Sequence, residues 1–174
     1  MQMVLEMDAG DILHQKPTPI GNDETGAELE SRLATLGAEA LSEALLLWRE
    51  GRLAATPQDP AAVTAAPLLH KRDGRIDWSG EATTIERATR ALDPWPTATT
   101  THRGQALKVF RARVEERFSG PPGEVLEVTG EGPIVGTGRG GLRLIEIQAA
   151  GKRRMAAADW ARGARVEAGE RFGE

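Results

Sequence analysis

Cysteine is absent from this sequence of 174 residues, and histidine is scarce. Without cysteine the chain can have no disulfide bond, no thiolate nucleophile and no cysteine-ligated zinc or iron–sulfur site. The three histidines, His14, His70 and His102, are widely spaced, so we expect no metal site. The lack of cysteine is consistent with a reducing compartment, and we expect a cytoplasmic location.

Long apolar runs are also missing. No run approaches the roughly 18–20 residues that a membrane-spanning helix needs, and no signal-peptide pattern precedes Met7. The chain is 40% hydrophobic and 28% charged, which is typical of a globular domain. We therefore expect no membrane partner, and the length suits one domain or one small domain with part of another.

Acidic and basic residues are unevenly distributed. Residues 1–60 contain four basic and eleven acidic residues, a net charge of −7. Residues 61–174 contain the other eighteen basic residues and fifteen acidic ones, a net charge of +3. This division predicts two parts with different partners, and the second is the better candidate for binding a polyanion.

Residues 1–52 combine short apolar segments with helical patterns. Thr25 and Glu28 fit a capping box at the start of a helix, which Gly37 ends or kinks. A second helix is expected over residues 38–50. Each helix has an apolar stripe, but the preceding apolar segments can supply only one or two strands. This part therefore resembles an incomplete domain.

The rest of the chain is predicted to be a linker and a second domain. Residues 53–70 are rich in alanine and proline and indicate an extended linker. Residues 71–174 begin with a helix that Thr83 or Thr84 could cap and that continues to about Leu92. Short strands separated by glycine-rich turns follow. We predict an α+β chain whose second domain is a small antiparallel barrel with one or two helices.

The segment Gly136–Gly141 matches the pattern GxGxxG. A dinucleotide-binding fingerprint requires a helix after this pattern, whereas residues 142–147 alternate as a strand does. We therefore predict a hairpin turn, with nucleotide binding as the alternative.

Two tryptophans are candidates for stacking on an unpaired base, Trp78 and Trp95. Tryptophan beside proline in a small β domain more often packs in the core or at a hinge. We expect packing for both residues.

The segment Met7-Asp-Ala-Gly-Asp-Ile-Leu13 places two carboxylates around a glycine. Taken alone, it indicates a turn whose aspartates bond their own backbone. Its pattern resembles the Leu-Asp-x-Gly-Asp loop of the folate-dependent formyltransferases. Arg75-Ile-Asp-Trp78 and Asp93-Pro-Trp-Pro96 resemble the start of the C-terminal domain in the methionyl-tRNA formyltransferase family, and residues 149–155 resemble the closing segment of that domain.

This resemblance implies a fold and a reaction. Residues 1–52 would be the end of a Rossmann-like catalytic domain, with strands and two helices, and the barrel of residues 71–174 would be OB-like. The family transfers a formyl group from 10-formyltetrahydrofolate to the amino group of initiator methionyl-tRNA. Asp8 matches the aspartate of the family's catalytic Asn–His–Asp trio, and Gly10 and Asp11 would be structural. The asparagine, the histidine and the main folate-binding segment would lie upstream, so we expect a missing N-terminal segment and no activity of this chain alone.

The tRNA would contact basic residues of the second domain, because a phosphate backbone is bound by lysine and arginine along one face. Taken individually, each of these residue types is more often an ordinary solvated surface charge. The strongest cluster is 152–154, which has no acidic neighbour in sequence. On a strand at 106–114 the pattern places Arg111 and Arg113 on the same face as Leu107 and Val109. The candidates are Lys71, Arg72, Arg75, Arg103, Lys108, Arg111, Arg113, Lys152, Arg153 and Arg154.

Other classes of function stay open on the sequence alone. An OB-like barrel with a basic loop could be a free-standing RNA-binding module without catalysis. Relatives with the same architecture include sugar-nucleotide formyltransferases and a formyltetrahydrofolate dehydrogenase. A non-functional remnant is a further alternative. The basic excess of the second part favours tRNA.

Overall fold

The computed structural model describes residues 1–174, which form two compact units, Met1–Leu68 and Leu69–Glu174. The first unit contains one long helix, α1 (Gly26–Arg49). Its capping box is present, because the Glu28 amide donates to Thr25 Oγ1 and the Thr25 amide donates to Glu28 Oε2. The predicted helix start is confirmed, since it depends only on residues three apart.

The prediction of two helices in this unit is wrong. Gly37 lies inside α1, which continues without interruption to Arg49. A glycine in a helix interior costs about 1 kcal/mol relative to alanine, which a helix of this length can tolerate. No atom lies within 4 Å of the position that a Cβ at Gly37 would occupy, so neither packing nor strain explains the glycine.

The predicted strands of the first unit are not formed. Ile12 makes only an isolated antiparallel bridge to Thr56, with backbone hydrogen bonds of 2.8 and 2.9 Å. The predicted linker therefore contributes to the first unit, and it also contains a short 3-10 turn at Pro60–Ala62. The one or two strands that the Rossmann-like interpretation predicts before α1 do not form, because no neighbouring strand pairs with the apolar segments there.

Polar contacts connect α1 to the segment before it. Arg32 donates to Glu24 through Nε and Nη2, at 2.7 and 2.8 Å, and also contacts the Thr18 hydroxyl. Lys16 Nζ donates to Glu43 Oε1 at 2.8 Å. No residue of α1 is buried. The first unit thus has ion pairs where a domain would normally have an apolar core.

The second unit is a mixed α+β domain with a six-stranded antiparallel sheet. The strand order is β1-β2-β5-β4-β3, and the short β6 pairs with β5. Two helices accompany the sheet. The elements are α2 (Ala82–Ala91), β1 (Ala98–His102), β2 (Gln105–Glu115), β3 (Val125–Thr129), β4 (Gly132–Gly136), β5 (Gly141–Ala149), β6 (Met155–Ala156) and α3 (Ala157–Ala164).

Helix α2 begins two residues earlier than an N-cap at Thr83 would place it, and three earlier than an N-cap at Thr84. Glu81 occupies the N-cap position without a side-chain cap. The Ala82 amide donates instead to the carbonyl of Arg139 at 3.0 Å, so a contact with the β4–β5 turn fixes the start. The helix ends before the Asp93–Pro96 segment, as predicted, because residues preceding proline avoid the helical conformation.

The predicted face of Arg111 and Arg113 on β2 is also wrong. The pairing of β2 with β5 shifts register between Val109 and Arg111, and Val109 and Phe110 are both buried. This bulge reverses the alternation, so Arg111 and Arg113 are exposed whereas Leu107 and Val109 belong to the core. The side chains of both arginines therefore lie at the surface of the unit.

The GxGxxG segment is a hairpin turn, as predicted. It joins β4 to β5, and the strand β5 follows it directly, with no helix. The Thr137 hydroxyl donates within the turn to the carbonyls of Arg139 and Gly140, at 2.8 Å each. The turn therefore lacks the helix N-terminus that binds a pyrophosphate in a dinucleotide site.

Strand pairing does not close the sheet into a barrel. No ladder joins the edge strands β1 and β3. A seam segment, Gly169–Gly173, lies between them instead. The Val125 amide donates to the Glu170 carbonyl, the Phe172 amide to Gly123 and the Gly173 amide to Thr101, at 2.8 to 2.9 Å. Single bridges therefore replace the continuous pairing that the predicted barrel requires.

The core of the second unit combines the inner face of the sheet with α2 and α3. Its largest fully buried side chains include Leu107, Leu142, Leu144 and Ile147. Trp78 is 6% exposed, packs against Phe172 and donates from Nε1 to the Thr100 hydroxyl at 3.0 Å. The packing prediction for Trp78 is confirmed.

Candidate nucleic-acid interface

The first unit positions the loop that contains Asp8. Asp8 has a φ of +55°, which is uncommon outside glycine, and its carboxylate is exposed without a hydrogen bond or ion pair. The Gln58 side-chain amide donates to the carbonyls of Asp8 and Gly10, at 2.8 and 2.7 Å. Gln58 was not identified from sequence, because it lies 50 residues away in the predicted linker.

Glycine is required at position 10 because the backbone of Gln2 lies very close. A Cβ at Gly10 would lie 1.8 Å from the Gln2 carbonyl oxygen, and the Gln2 amide donates to the Asp11 carbonyl at 2.8 Å. No histidine bonds to Asp8. His14, in the same unit, contacts Glu43 instead, with 3.0 Å between Nε2 and Oε2. Asp8 is thus present without the histidine and the asparagine of the predicted catalytic trio.

In the second unit, three predicted basic residues line a groove of about 790 Å³. The three are Lys71, Arg72 and Arg75, and the same groove is also lined by Thr99, Thr100 and Thr101 of β1. The basic residues are exposed, and only Arg72 approaches an acid, with Nε 3.8 Å from Asp73 Oδ1. Lysine and arginine beside hydroxyl groups are suited to binding phosphate oxygens.

Backbone contacts hold the basic part of this groove in place. Residues Lys71–Gly74 form a 3-10 turn, and the Ile76 amide then donates to the Thr99 carbonyl at 2.8 Å. Gly74 is buried, and a Cβ there would lie 2.3 Å from the Thr97 carbonyl oxygen. The close packing of Gly74 on Thr97 therefore fixes the position of the basic turn relative to the sheet.

The loop between β5 and β6 carries the predicted cluster 152–154. Lys152 and Arg153 are exposed and make no ion pair. Arg154 differs, because it donates to both carboxylate oxygens of Asp93, at 2.6 and 3.2 Å, and its guanidinium lies 3.4 Å from the centroid of the Phe110 ring. One of the three basic residues, Arg154, is thus engaged in an ion pair with Asp93, which lies 61 residues away in the sequence.

Two other predicted bases are also engaged within the unit. Arg103 donates hydrogen bonds to the Glu170 carboxylate at 2.7 and 3.0 Å. It also donates to the backbone carbonyls of Ala164 and Arg165 at the end of α3. Arg113 lies 2.5 Å from Glu131 and 3.2 Å from Glu115. Lys108 and Arg111 on β2 are exposed and make no ion pair. The list from sequence therefore divides into bases that are free for a partner and bases that stabilise the fold.

Trp95 lies on a loop that contacts two of the predicted basic segments, and its packing prediction is wrong. Its side chain is 58% exposed. The Asp93 carboxylate of this loop pairs with Arg154 of the 152–154 cluster. Pro96 and Thr97 of the same loop contact Gly74 of the basic turn. The structure thus brings two distant basic segments into contact with the loop that carries one exposed tryptophan.

Ion pairs lower the pKa of several carboxyl groups in the second unit. Hydrogen bonds from Arg103 bring the pKa of Glu170 down to about 2, assisted by the Glu167 amide and His102. Hydrogen bonds from Arg143 lower the pKa of Glu115, and the Ser79 hydroxyl and amide lower that of Asp77. These acids are ionised at neutral pH, so they do not offer a proton for catalysis, and Glu170 and Glu115 also neutralise nearby arginines.

The structure contains no group of three or more His, Asp or Glu side chains that could hold a metal ion. None of the helices is both long and apolar enough to cross a membrane.

Known proteins and one domain family are similar to this chain in sequence. The formyl transferase C-terminal domain family matches residues 68–165. The methionyl-tRNA formyltransferase of Roseiflexus castenholzii is 48% identical over 175 residues, which cover 98% of this chain and 56% of the relative. That of Roseiflexus sp. strain RS-1 is 46% identical over 171 residues, covering 97% of this chain and 52% of the relative. The chain spans about half the length of these curated relatives.

A solved structure is similar over nearly the whole chain. HypX from Aquifex aeolicus, in complex with tetrahydrofolic acid, superposes with a TM-score of 0.67 at 25% identity. The match covers 96% of this chain and 30% of HypX. The resemblance inferred from the Asp8 loop and the Asp93–Pro96 motif is confirmed by these matches. The chain belongs to the formyl transferase C-terminal domain family.

Proposed function

We propose that this chain is the C-terminal part of a methionyl-tRNA formyltransferase and that its second unit binds the initiator methionyl-tRNA. The observation that carries this proposal is the identity of 46–48% to proteins of that name over 97–98% of the chain. In the complete reaction the formyl group would pass from 10-formyltetrahydrofolate to the amino group of the methionyl residue. The compartment would be the cytoplasm, where translation supplies this substrate.

The distribution of free basic residues supports a long polyanion as the ligand. The basic turn at Lys71–Arg75 and the cluster 152–154 both contact the 93–97 loop, through Gly74 and Arg154. A small nucleotide would occupy one of these sites, whereas an RNA backbone can reach both. The seam between the edge strands supports an OB-like, barrel-shaped arrangement of this unit, although its strand ladder is open.

We assign the catalytic role of this chain to Asp8. Its exposed carboxylate can orient and support an imidazole or accept a proton. A carboxylate cannot stabilise the oxyanion that forms when an amine attacks a formyl group, because stabilisation requires hydrogen-bond donors. The chain therefore fits one part of a formyl-transfer site, and the donor groups would come from a histidine and an asparagine outside it.

The purified chain of 174 residues should accordingly show no turnover with 10-formyltetrahydrofolate and charged initiator tRNA. The assay is the appearance of formylmethionyl-tRNA on an acid gel. Robust turnover by this chain would contradict the assignment of the missing catalytic groups.

Binding tests the tRNA interface directly. Changing both Lys152 and Arg153 to alanine should weaken the binding of initiator tRNA about tenfold and should reduce the slope of log K against log salt by up to about two, because two phosphate contacts are lost. Arg154 stays in place because its removal would leave Asp93 unpaired. The matched control changes Arg49 and Arg52, which removes the same charge from the first unit. Unchanged affinity and slope in the Lys152/Arg153 variant would exclude this loop from the interface.

A further inference from the structure

We propose that Trp95 is a stacking platform for an unpaired RNA base, carried by a loop that contacts two basic segments. This inference rests on the proposed function, because it takes RNA to be the partner of the second unit. It adds a residue that contacts the nucleobase to an interface that otherwise consists of charges.

The exposure of Trp95 is the first observation. The other two tryptophans of this unit, Trp78 and Trp160, pack against Phe172 in an aromatic cluster. Trp95 has no such ring partner and leaves 58% of its surface in water. Exposed aromatic surface of this size is unfavourable in isolation and is typical of sites that bind a flat or apolar group.

The loop that carries Trp95 is held by contacts on both sides of the residue. The Thr97 amide donates to the Leu92 carbonyl and the Thr97 hydroxyl donates to the Pro94 carbonyl, each at 2.8 Å. Asp93 is fixed by Arg154, whose guanidinium lies over Phe110. A fixed loop presents the indole without the entropy cost of ordering it at binding.

The charges around Trp95 indicate the class of ligand. The Lys71–Arg75 turn contacts the loop at Pro96 and Thr97, and the 152–154 cluster contacts it at Asp93. Phosphates bound at both segments would bring the intervening nucleotide to the indole. Every base has a face that can stack on an aromatic ring, so this contact requires no particular sequence. Fully paired RNA offers no free base face, and we therefore infer an unpaired nucleotide.

Two variants of Trp95 and one control test this inference in the full chain. Trp95→Ala removes the indole, and Trp95→Phe retains an aromatic face. The control is Trp48→Ala, because Trp48 is also exposed, at 69%, but lies on α1 of the acidic first unit. The probes are a blunt RNA hairpin, the same hairpin with a single-stranded overhang, and initiator tRNA. Affinity is measured by fluorescence anisotropy over a range of salt concentrations.

We expect Trp95→Ala to weaken binding of the overhang hairpin and of the tRNA about tenfold, and to leave binding of the blunt hairpin unchanged. The salt slope should not change, since no charge is removed. Trp95→Phe should retain most of the affinity, and Trp48→Ala all of it. Binding of the overhang should also quench tryptophan fluorescence, and this quenching should be absent in Trp95→Phe.

Two results would overturn the inference in distinguishable ways. If Trp95→Ala binds every probe as the wild type does, while the Lys152/Arg153 variant binds more weakly, the basic interface stands and Trp95 has no part in it. Trp95 would then be a candidate protein contact. If the unchanged chain binds none of the three RNAs, the proposed tRNA interface fails and the role of Trp95 fails with it.

Discussion

The two units of this chain are stabilised in different ways. In the second unit, apolar side chains of the sheet and two helices are fully buried around Leu144 and Phe172. In the first unit, a helix of 24 residues buries none of its side chains and contacts its neighbours through ion pairs. Its leucines at 33, 41 and 45 and Trp48 remain exposed.

This difference shows that a compact group of contacts is not always a self-sufficient domain. Surface ion pairs contribute little to stability because water screens them and ordering long side chains costs entropy. Burial of apolar surface is the main favourable term in folding. The second unit therefore has the composition of an independent domain, whereas the first unit lacks the buried surface that would stabilise it alone.

Core truncation should give the largest contrast between the units. Leu144 is fully buried, and Leu144→Ala should lower the free energy of unfolding of the second unit by about 3 kcal/mol through lost burial and a cavity. Leu41→Ala in α1 should change the free energy of unfolding of the first unit by less than about 0.5 kcal/mol, because this side chain is 62% exposed. Urea titration monitored by hydrogen exchange separates the two units. A large loss from Leu41→Ala would show that the apolar face of α1 is buried in solution.

Two arginines that each contact a glutamate and a threonine provide a matched test, in which we expect an effect of intermediate size. Arg143 contacts Glu115 and the Thr129 hydroxyl while 5% exposed, and Arg32 contacts Glu24 and the Thr18 hydroxyl near the surface. Arg143→Ala should destabilise its unit by about 2 kcal/mol, because it leaves buried polar groups without their partner.

Arg32→Ala should have a much smaller effect on the first unit, since water can solvate the carboxylate that remains. Chemical denaturation of both variants measures the difference. Equal losses would mean that burial does not distinguish the two sites and would break the proposed contrast between the units.

Acid should weaken both units over the same pH range. The pKa of Glu170 is lowered to about 2, first by Arg103, and that of Glu24 to about 2, first by Arg32. Because both values lie below the usual 4.5, the stabilisation is complete above pH 4.5 and is lost as the pH falls toward 2. For Glu170 we expect a loss of about 1 kcal/mol after solvent screening. Glu170→Gln should lose less stability than the wild type between pH 4.5 and pH 2, and equal losses would contradict this assignment.

The smallest effect should come from the Asp8 loop. Gln58→Ala removes two hydrogen bonds to the carbonyls of Asp8 and Gly10, which water can replace because the site is only partly buried. Global stability should be unchanged, whereas amide exchange at residues 8–11 should increase. Unchanged exchange would show that the Gly10–Gln2 contact alone holds the loop.

Local signals in the sequence predicted much of the second unit and the start of α1 in the first. The strands from β1 to β5, the end of α2 before the Asp93–Pro96 motif and the capping box of α1 all depend on residues that are close in sequence. The bulge in β2 could not be predicted, because it depends on the register of the partner strand. Gly37 was misleading because a glycine weakens a helix without ending it.

The interface was only partly predictable for a similar reason. The basic clusters are visible as runs in the sequence, but the partners of Arg103, Arg113 and Arg154 lie on other elements. The exposure of Trp95 depends on tertiary packing and cannot be deduced from composition. Tertiary contacts therefore decided which candidates remain free to bind a ligand.

The seam segment also has a consequence for biosynthesis. Gly169–Gly173 is translated after every strand that it joins, so β1 and β3 emerge from the ribosome with unpaired edges. Unpaired strand edges readily associate with other chains. Nascent copies of this domain are thus most exposed to misassembly in the interval between the synthesis of α3 and the arrival of Phe172.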